Sequence, residues 1–344
     1  MYKIFKILFF IVFSLLLFFV CVIFGNVDIF SNNDLVGALS SNIILNMRIP
    51  RVLYAALIGA SLSVCGVAMQ GLLKNPLADG TTLGVSSFGS LGAVFAIVVL
   101  NQVLGALFQN NLSTVNVSIF SINFRFDYIS TIAISFIFSL SSLFLILIIS
   151  RIIDKNISTN TVILLGVVFN LLGSSLITLL ITLYPQSTQS VTFWLMGSVS
   201  GSNYANVVLL FIVLCICMFI FLKNSKNLEI LSIGSKQANS LGVDVKKTTK
   251  VIIVTVSVLI SFCVSTCGVI GFVGLVVPHI ARRILGPANK NLFFFSAVFG
   301  ADFLIFTDLI SRVIITPREL PIGIITSIIG CIVFVLILFK NRVK

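Results

Sequence analysis

Along the chain, uncharged apolar stretches of helix length alternate with short polar segments. The apolar stretches fall at about residues 1–25, 52–73, 83–100, 128–150, 161–183, 205–222, 250–270, 271–281, 292–311 and 321–339. Runs of roughly 17–25 apolar residues are long enough to cross a bilayer's hydrocarbon core as helices. Ten spans are therefore predicted. The region 250–281 is too long for one crossing, and its Gly-Val-Ile-Gly-Phe-Val-Gly sequence at 268–274 predicts a break into a long span and a short one. Gly271 and Gly274 are expected to supply a sharp turn or a tight helix contact there. The first run lacks an A-x-A-like cleavage site, and Phe18-Phe19-Val20 before Cys21 is a poor lipoprotein signal. It reads as a retained first helix.

The most informative stretch is Arg48 to Ser87. Two arginines flank Ile49 and Pro50, an uncharged run follows, and an Asn-Pro-Leu-Ala-Asp-Gly turn closes it. Ala55, Ala56, Gly59, Ala60, Ser61, Ser63, Gly66 and Ala68 within the run predict close packing against other helices. Gln70 is a polar group that needs a partner there. Pro50 disfavours a continuous helix across the two arginines, so each is expected to project from the entrance of the span.

Composition narrows the class. The chain is 58% hydrophobic and 9% charged, with a mean hydropathy of +1.18 over 344 residues. No water-soluble domain has that balance, so an all-α polytopic membrane protein is expected, a single transmembrane domain over 1–344. The net charge of +12 does not indicate nucleic acid, because the cations sort by loop. With both termini inside, 17 of the 22 basic residues lie on the inner side. The outer side keeps only Arg48, Arg51, Arg125, Arg312 and Arg318. Arginine's planar fork suits bidentate contact with carboxylates.

Charge inside the spans is rare and needs partners. Asp308 lies four residues before Arg312, on one helix face, and reads both as an ion pair and as a group that orients Arg312. Asp302 has no assigned role. The seven cysteines sit in or beside apolar runs and read as small buried residues; Cys263 and Cys267 share a helix face but lack the neighbours of a metal site. His279, the sole histidine, reads as a hydrogen-bonding residue at a helix end.

The loop 223–250 carries Leu228, Ile230, Leu231 and Ile233, then Ala238, Leu241 and Val243, at spacings that predict two short helices broken at Gly234 and Gly242. Such an apolar face docks onto a bilayer or a soluble partner. The nearest approach to a phosphate-binding loop, Gly-Val-Asp-Val-Lys-Lys-Thr-Thr, lacks the second glycine of that motif, so an energy-supplying partner is expected to dock here.

Five motifs occur in order: RIPR, MQGLLKNPLADGTTLGVSS, SIGSKQANSLGV, GVIGFVGLVVPHIARRILG, and TDLISR with ELPIGIITSIIG. In these the chain resembles the FecCD family, the permease subunits of iron-siderophore, haem and cobalamin ABC importers, over about residues 45–340. The resemblance implies the ten-helix fold of type II importers and a permease dimer, homo- or heteromeric. It also implies two cytoplasmic ATPase subunits that hold ATP and magnesium, and an external substrate-binding protein. By the same resemblance this chain is no enzyme, binds no cofactor or metal, and resides in the bacterial plasma membrane.

The family pattern makes Arg48, Arg51 and Arg312 docking cations for the binding protein's carboxylates. It makes Leu228, Leu231, Gly234, Ala238, Leu241 and Gly242 part of the ATPase-coupling helices. It matches Asn75, Leu77, Thr159 and Asn160 to the cytoplasmic gate. Two departures stand out: Asn160 replaces a serine of the gate pattern, and Gly80 stands where a proline usually follows the acid, which is expected to loosen that turn.

Two other classes compete with this one. An ion-coupled secondary transporter would favour a midplane acid relay and inverted repeats, for which only Asp302 is a candidate. A polytopic enzyme would need clustered His, Asp or Glu at the membrane edge, which the sequence lacks. Ferric siderophore is the expected cargo, being the commonest in the family, with haem and cobalamin as alternatives.

Overall fold

The computed structural model describes residues 2–25, 43–100, 116–119, 122–153, 159–286, 289–316 and 318–342. Thirteen helices occur among them. Ten match the predicted runs: α1 (Tyr2–Ile23), α2 (Ile49–Leu73), α3 (Val85–Phe95), α4 (Phe126–Ile153), α5 (Thr159–Leu183), then, after the short α6 (Thr188–Leu195), α7 (Tyr204–Lys223), and, after the short α8 (Ser225–Ile233) and α9 (Ser235–Ser240), α10 (Val245–Cys267), α11 (Val273–Leu285), α12 (Asn289–Val313) and α13 (Ile322–Arg342). Six of them are long and apolar enough to cross a membrane: α2, α4, α5, α7, α10 and α12. A two-stranded antiparallel ribbon, Asn116–Ile119 with Ile122–Arg125, precedes α4 and has no counterpart in the apolar pattern.

Two local expectations need correction. A π-helical turn, Ile44–Arg48, runs straight into α2, and Ile49 is right-handed helical although Pro50 follows it. The helix is therefore continuous across the arginines. Pro50, without an N–H, forfeits one bond back into the Ile44–Arg48 turn, and the π register of that turn is where the helix absorbs the loss. The break between α10 and α11 is also not made by Gly271, whose added Cβ would meet nothing within 4 Å. The residues that turn the chain are Gly268 at φ +73° and Phe272 at φ +68°. A side chain on Gly268 would collide with the Trp194 carbonyl oxygen.

The described chain divides into two compact units. The first comprises 1–64, 198–216 and 271–344; the second comprises 65–197 and 217–270. In the first, α1, α11 and α13 all pack on α12. Cys21, Val52 and Ile305 form a buried cluster there, flanked by Leu17, Phe18 and Leu309. Gly59 and Gly300 cross so closely that a Cβ on either would strike the other's carbonyl. This is the small-residue contact that the α2 sequence predicts. Ser14 Oγ donates to Asp302 Oδ2 at 2.7 Å, which gives the intramembrane acid a partner on α1.

In the second unit, α3 is held by α4, α5 and α10. The joints between these apolar helices are hydroxyls. Ser135 Oγ donates to Gly89 O at 2.7 Å and Ser139 Oγ to Val85 O at 2.8 Å, while Ser261 Oγ donates to Ser139 Oγ at 2.8 Å. Hydroxyls suit such joints because they bring polar specificity without the cost of a charge.

Candidate functional site

The three predicted docking arginines gather in the first unit. Arg48 ends the π turn, Arg51 lies in the first turn of α2, and Arg312 in the last turn of α12. Two of them close the C-terminus of α1, where helix carbonyls lack intrahelical donors and the dipole favours cations. Arg312 Nη2 donates to Cys21 O at 3.0 Å and Nη1 to Phe24 O at 3.2 Å. Arg48 Nη1 donates to Ile23 O at 2.6 Å, with Val22 O at 3.3 Å. Both side chains are buried.

Arg51 is committed to carboxylates instead. Its Nε and Nη2 donate to Asp308 Oδ1 at 3.0 and 2.9 Å. Its Nη1 donates to Glu319 Oε1 and Oε2 at 3.0 and 2.9 Å. Asp308 also faces Arg312, whose Nε stands 3.0 Å from Oδ2. That is a charge contact without hydrogen-bond geometry, because the Nε–H points at the Asp308 carbonyl, 3.4 Å away. A carboxylate only 1% exposed thus bridges two guanidiniums. The i, i+4 pairing of Asp308 with Arg312 is as its spacing implied. The Arg51 contacts were missed, since Asp308 and Glu319 lie 257 and 268 residues away in sequence. A cavity of about 500 Å³ opens beside the cluster, lined by Arg48, Arg51, Arg312, Glu319 and the Ser200–Ser202 segment.

The predicted coupling segment lies in the second unit and forms the two short helices α8 and α9, packed on α10. They break at Gly234, φ +158°, and α9 ends before Gly242, φ +82°. The apolar face divides. Leu228, Leu231, Ala238 and Val243 are buried within the unit, whereas Ile233 and Leu241 remain 67% and 63% exposed. Asp244 caps α10 by accepting from Lys247 N at 3.0 Å.

The predicted gate residues occupy two elements of the second unit. Asn75 and Leu77 lie in the turn after α2, where Asn75 Oδ1 accepts from Leu77 N at 2.9 Å and Leu77 is exposed. Thr159 and Asn160 begin α5; Asn160 is exposed, while Ser158 and the Thr159 side chain lie outside the described residues. The turn is not loosened by Gly80. Asp79 Oδ1 accepts from Thr81 N at 3.0 Å, Thr81 Oγ1 at 2.7 Å and Thr82 N at 3.2 Å, and so caps the 3₁₀ turn Gly80–Leu83. Ile260 fills the space that a side chain on Gly80 would need. Burial pushes the Asp79 carboxyl above its ordinary range, opposed by the Thr81 and Thr82 hydrogen bonds.

From α5, Asn170 Nδ2 donates to Thr81 O at 3.1 Å while its Oδ1 accepts from Ser87 Oγ. Asn170 therefore ties the turn and the start of α3 to α5. Sequence reasoning overlooked it, although a lone asparagine in an apolar helix is the kind of costly group that calls for a partner.

A polytopic helical permease is the class that this fold and these clusters define. The chain belongs to the FecCD transport family, which matches residues 7–340. It is 40% identical to the ABC transporter permease YvrB of Bacillus subtilis over 88% of this chain and 80% of that one. It is 33% identical to a permease assigned to an iron chelatin transport system in Helicobacter pylori strain J99, over 91% and 87%. The cobalamin import permease of Halobacterium salinarum is 31% identical over 88% and 74%. Among solved structures, a transporter assigned to the metal-chelate ABC type, in an inward-facing conformation, superposes with a TM-score of 0.80. It is 27% identical and covers 97% of this chain and 99% of that one. The chain is a membrane-spanning permease subunit of this transport family, with the type II permease fold.

Proposed function

We propose that this chain, paired with a second permease subunit, carries a ferric siderophore into the cytoplasm of a bacterium across its plasma membrane. Iron chelate is chosen over other cargo on the strength of the iron chelatin relative and the metal-chelate neighbour. Cobalamin is the second reading, favoured by relatives named for it. Both termini face the cytoplasm in this reading, because that orientation puts 17 of 22 basic residues inside.

The observation that carries the mechanism is the α8–α9 pair. Its inner apolar residues are buried, yet Ile233 and Leu241 stay exposed on a segment that also exposes Lys236 and Lys246. A short helix pair with exposed apolar knobs suits the cleft of a soluble ATPase. Two such ATPase subunits would bind ATP and magnesium, and this chain would bind neither. Their motion would alternate access through the permease pair, with Asn75, Leu77, Thr159 and Asn160 at the cytoplasmic gate. The arginine pocket would receive carboxylates of an external substrate-binding protein, with Arg51 as the central contact.

Uptake of radiolabelled ferric siderophore by cells expressing the complete importer tests the reading. Transport that stops when the ATPase is disabled, and that cobalamin and haem do not compete away, is expected. Continued uptake without the ATPase would favour a secondary transporter, and preferential uptake of cobalamin would replace the cargo.

A further inference from the structure

The two ends of the first unit treat their cations differently. At one end Arg48 and Arg312 bond the carbonyls that finish α1, and Arg51 is paired with Asp308 and Glu319. The C-termini of α1 and α12 therefore share that end, and their N-termini share the other. The C-terminus of α11 lies at the second end too, because only residues 286–288 separate it from α12. So does the C-terminus of α13, which returns from where α12 finishes.

Every charge at this second end is positive. Lys3 and Lys6 lie near the start of α1, Arg282 and Arg283 near the end of α11, and Lys290 at the start of α12. Lys340 and Arg342 finish α13. No Asp or Glu occurs in residues 1–27, 271–301 or 320–344. The inner segments of the second unit differ, since their cations are interspersed with Asp79, Asp154, Glu229 and Asp244. Sorting of cations by loop accounts for their side of the membrane but not for the lack of any acid among them.

Arg282 is half-buried, and its Nη2 is enclosed without a hydrogen-bond partner. Among the described residues no ion pair involves it, Arg283 or Lys290. A guanidinium withdrawn from water without an acceptor is costly, and phosphate oxygens suit its fork. What continues from these cations is apolar surface. Ile284 is exposed directly after Arg283. Phe294 and Val298 follow Lys290 one and two turns along the same face of α12, at 50% and 41% exposure.

We propose that this end of the first unit binds an anionic phospholipid, whose phosphate engages Arg282, Arg283 and Lys290 while its acyl chains lie along Phe294 and Val298. Free phosphate or an acidic protein surface would satisfy the cations and leave the apolar strip uncovered; a phospholipid covers both. By the orientation proposed above, the leaflet is the cytoplasmic one. Binding in detergent does not depend on that orientation, so a failure of the site would leave the orientation untouched.

The test uses the complete permease–ATPase complex in detergent. Native mass spectrometry counts the lipid retained when phosphatidylglycerol or phosphatidylcholine is added at equal concentration. The parent should prefer phosphatidylglycerol. Arg283→Gln should weaken that preference about 5-fold, and Arg282→Gln combined with it should weaken it further. Arg151→Gln, the same charge loss at the exposed end of α4 in the second unit, should leave it unchanged.

Equal retention of both lipids by the parent, or a preference that survives the double variant, overturns the site. Displacement of the lipid by inorganic phosphate at the same concentration shows a free-anion site and overturns the lipid reading. A double variant that keeps the preference but loses the ATPase assigns these arginines to the ATPase contact instead. Thermal unfolding guards against misfolding. Arg283 and Lys290 are both exposed, so Arg283→Gln with Lys290→Gln should unfold with the parent and still lose the preference. If this variant is stable and binds phosphatidylglycerol as the parent does, the cations do not hold the phosphate.

Discussion

The arginine pocket of the first unit and the Asp79–Asn170 turn of the second solve one problem in two ways. Each places polar groups beside apolar helices, where an unpaired group is expensive. The pocket does it with ions: three guanidiniums share two carboxylates and the carbonyls that end α1. The turn does it mainly with neutral groups: Thr81 and Thr82 bind a single acid, and Asn170 ties Thr81 to Ser87. Ion pairs are strong and can exchange partners; amide and hydroxyl bonds are weaker but fix geometry at little electrostatic cost. The difference indicates that the pocket is built for trading contacts and the turn for holding a shape.

Breaking the pocket should have the largest effect. Asp308→Asn keeps the side chain's shape but leaves Arg51 and Arg312 facing one another with their shared charge gone. Removing one member of a buried ionic cluster costs on the order of 3–5 kcal/mol. The purified variant should unfold well below the parent temperature or fail to purify as a single species. An unchanged unfolding temperature would mean that the bridge contributes little.

How far the two regions were legible differs for a physical reason. Helical runs are read from period and length, which are local, so ten helices matching the apolar runs, six of them of spanning length, and the α8–α9 pair could be placed. Asp308–Arg312 was also local, at i, i+4. Arg51 with Glu319 was not, because nothing near either residue marks a partner 268 positions away. The same holds for Arg48 and Arg312 at the end of α1: any helix end lacks donors, but the sequence does not say which cations supply them. Gly271 drew attention to the correct break, yet a positive φ is decided residue by residue, and it fell on Gly268 and Phe272.

The α8–α9 pair sharpens the comparison, because its exposed residues belong to neither kind of network. Leu241→Asp should leave the fold intact, since the side chain is 63% exposed, but should abolish co-purification with the ATPase. Truncating a central apolar contact typically costs about 2 kcal/mol or more, and a buried unpaired acid adds to that. Leu228→Asp should instead destabilise the permease itself, because Leu228 is fully buried. Equal behaviour of the two variants would show that the exposed and buried halves of this face are not distinct.

Asn170→Leu probes the turn. It removes the donor to Thr81 O and the acceptor for Ser87, at an expected cost of about 1–3 kcal/mol. If the turn holds the gate, transport per ATP hydrolysed should fall more than ATPase activity does. Asn170→Asp, which keeps the acceptor, should lose less. Parallel losses of transport and hydrolysis would speak against a role in the gate.

The smallest effect is expected at Asp79, and its sign separates the two designs. Burial raises the folded carboxyl's affinity for a proton, and the Thr81 and Thr82 donors only partly oppose this. A carboxyl whose folded pKa is raised contributes more to stability below its unfolded pKa, and that contribution is lost as pH rises through the folded value. The turn should therefore be firmer in mild acid, with the change beginning in the ordinary aspartate range and ending above it. Asp79→Asn removes the titration yet keeps Oδ1 as the acceptor for Thr81 and Thr82. Its unfolding temperature at neutral pH should match or slightly exceed the parent's, and the acid-side gain assigned to this residue should vanish. Asp79→Leu, which has no acceptor, should lose about 0.5–2 kcal/mol, the usual value of an N-cap. A marked loss in Asp79→Asn at neutral pH would show that the negative charge itself holds the turn, which would place it with the arginine pocket among the ionic sites.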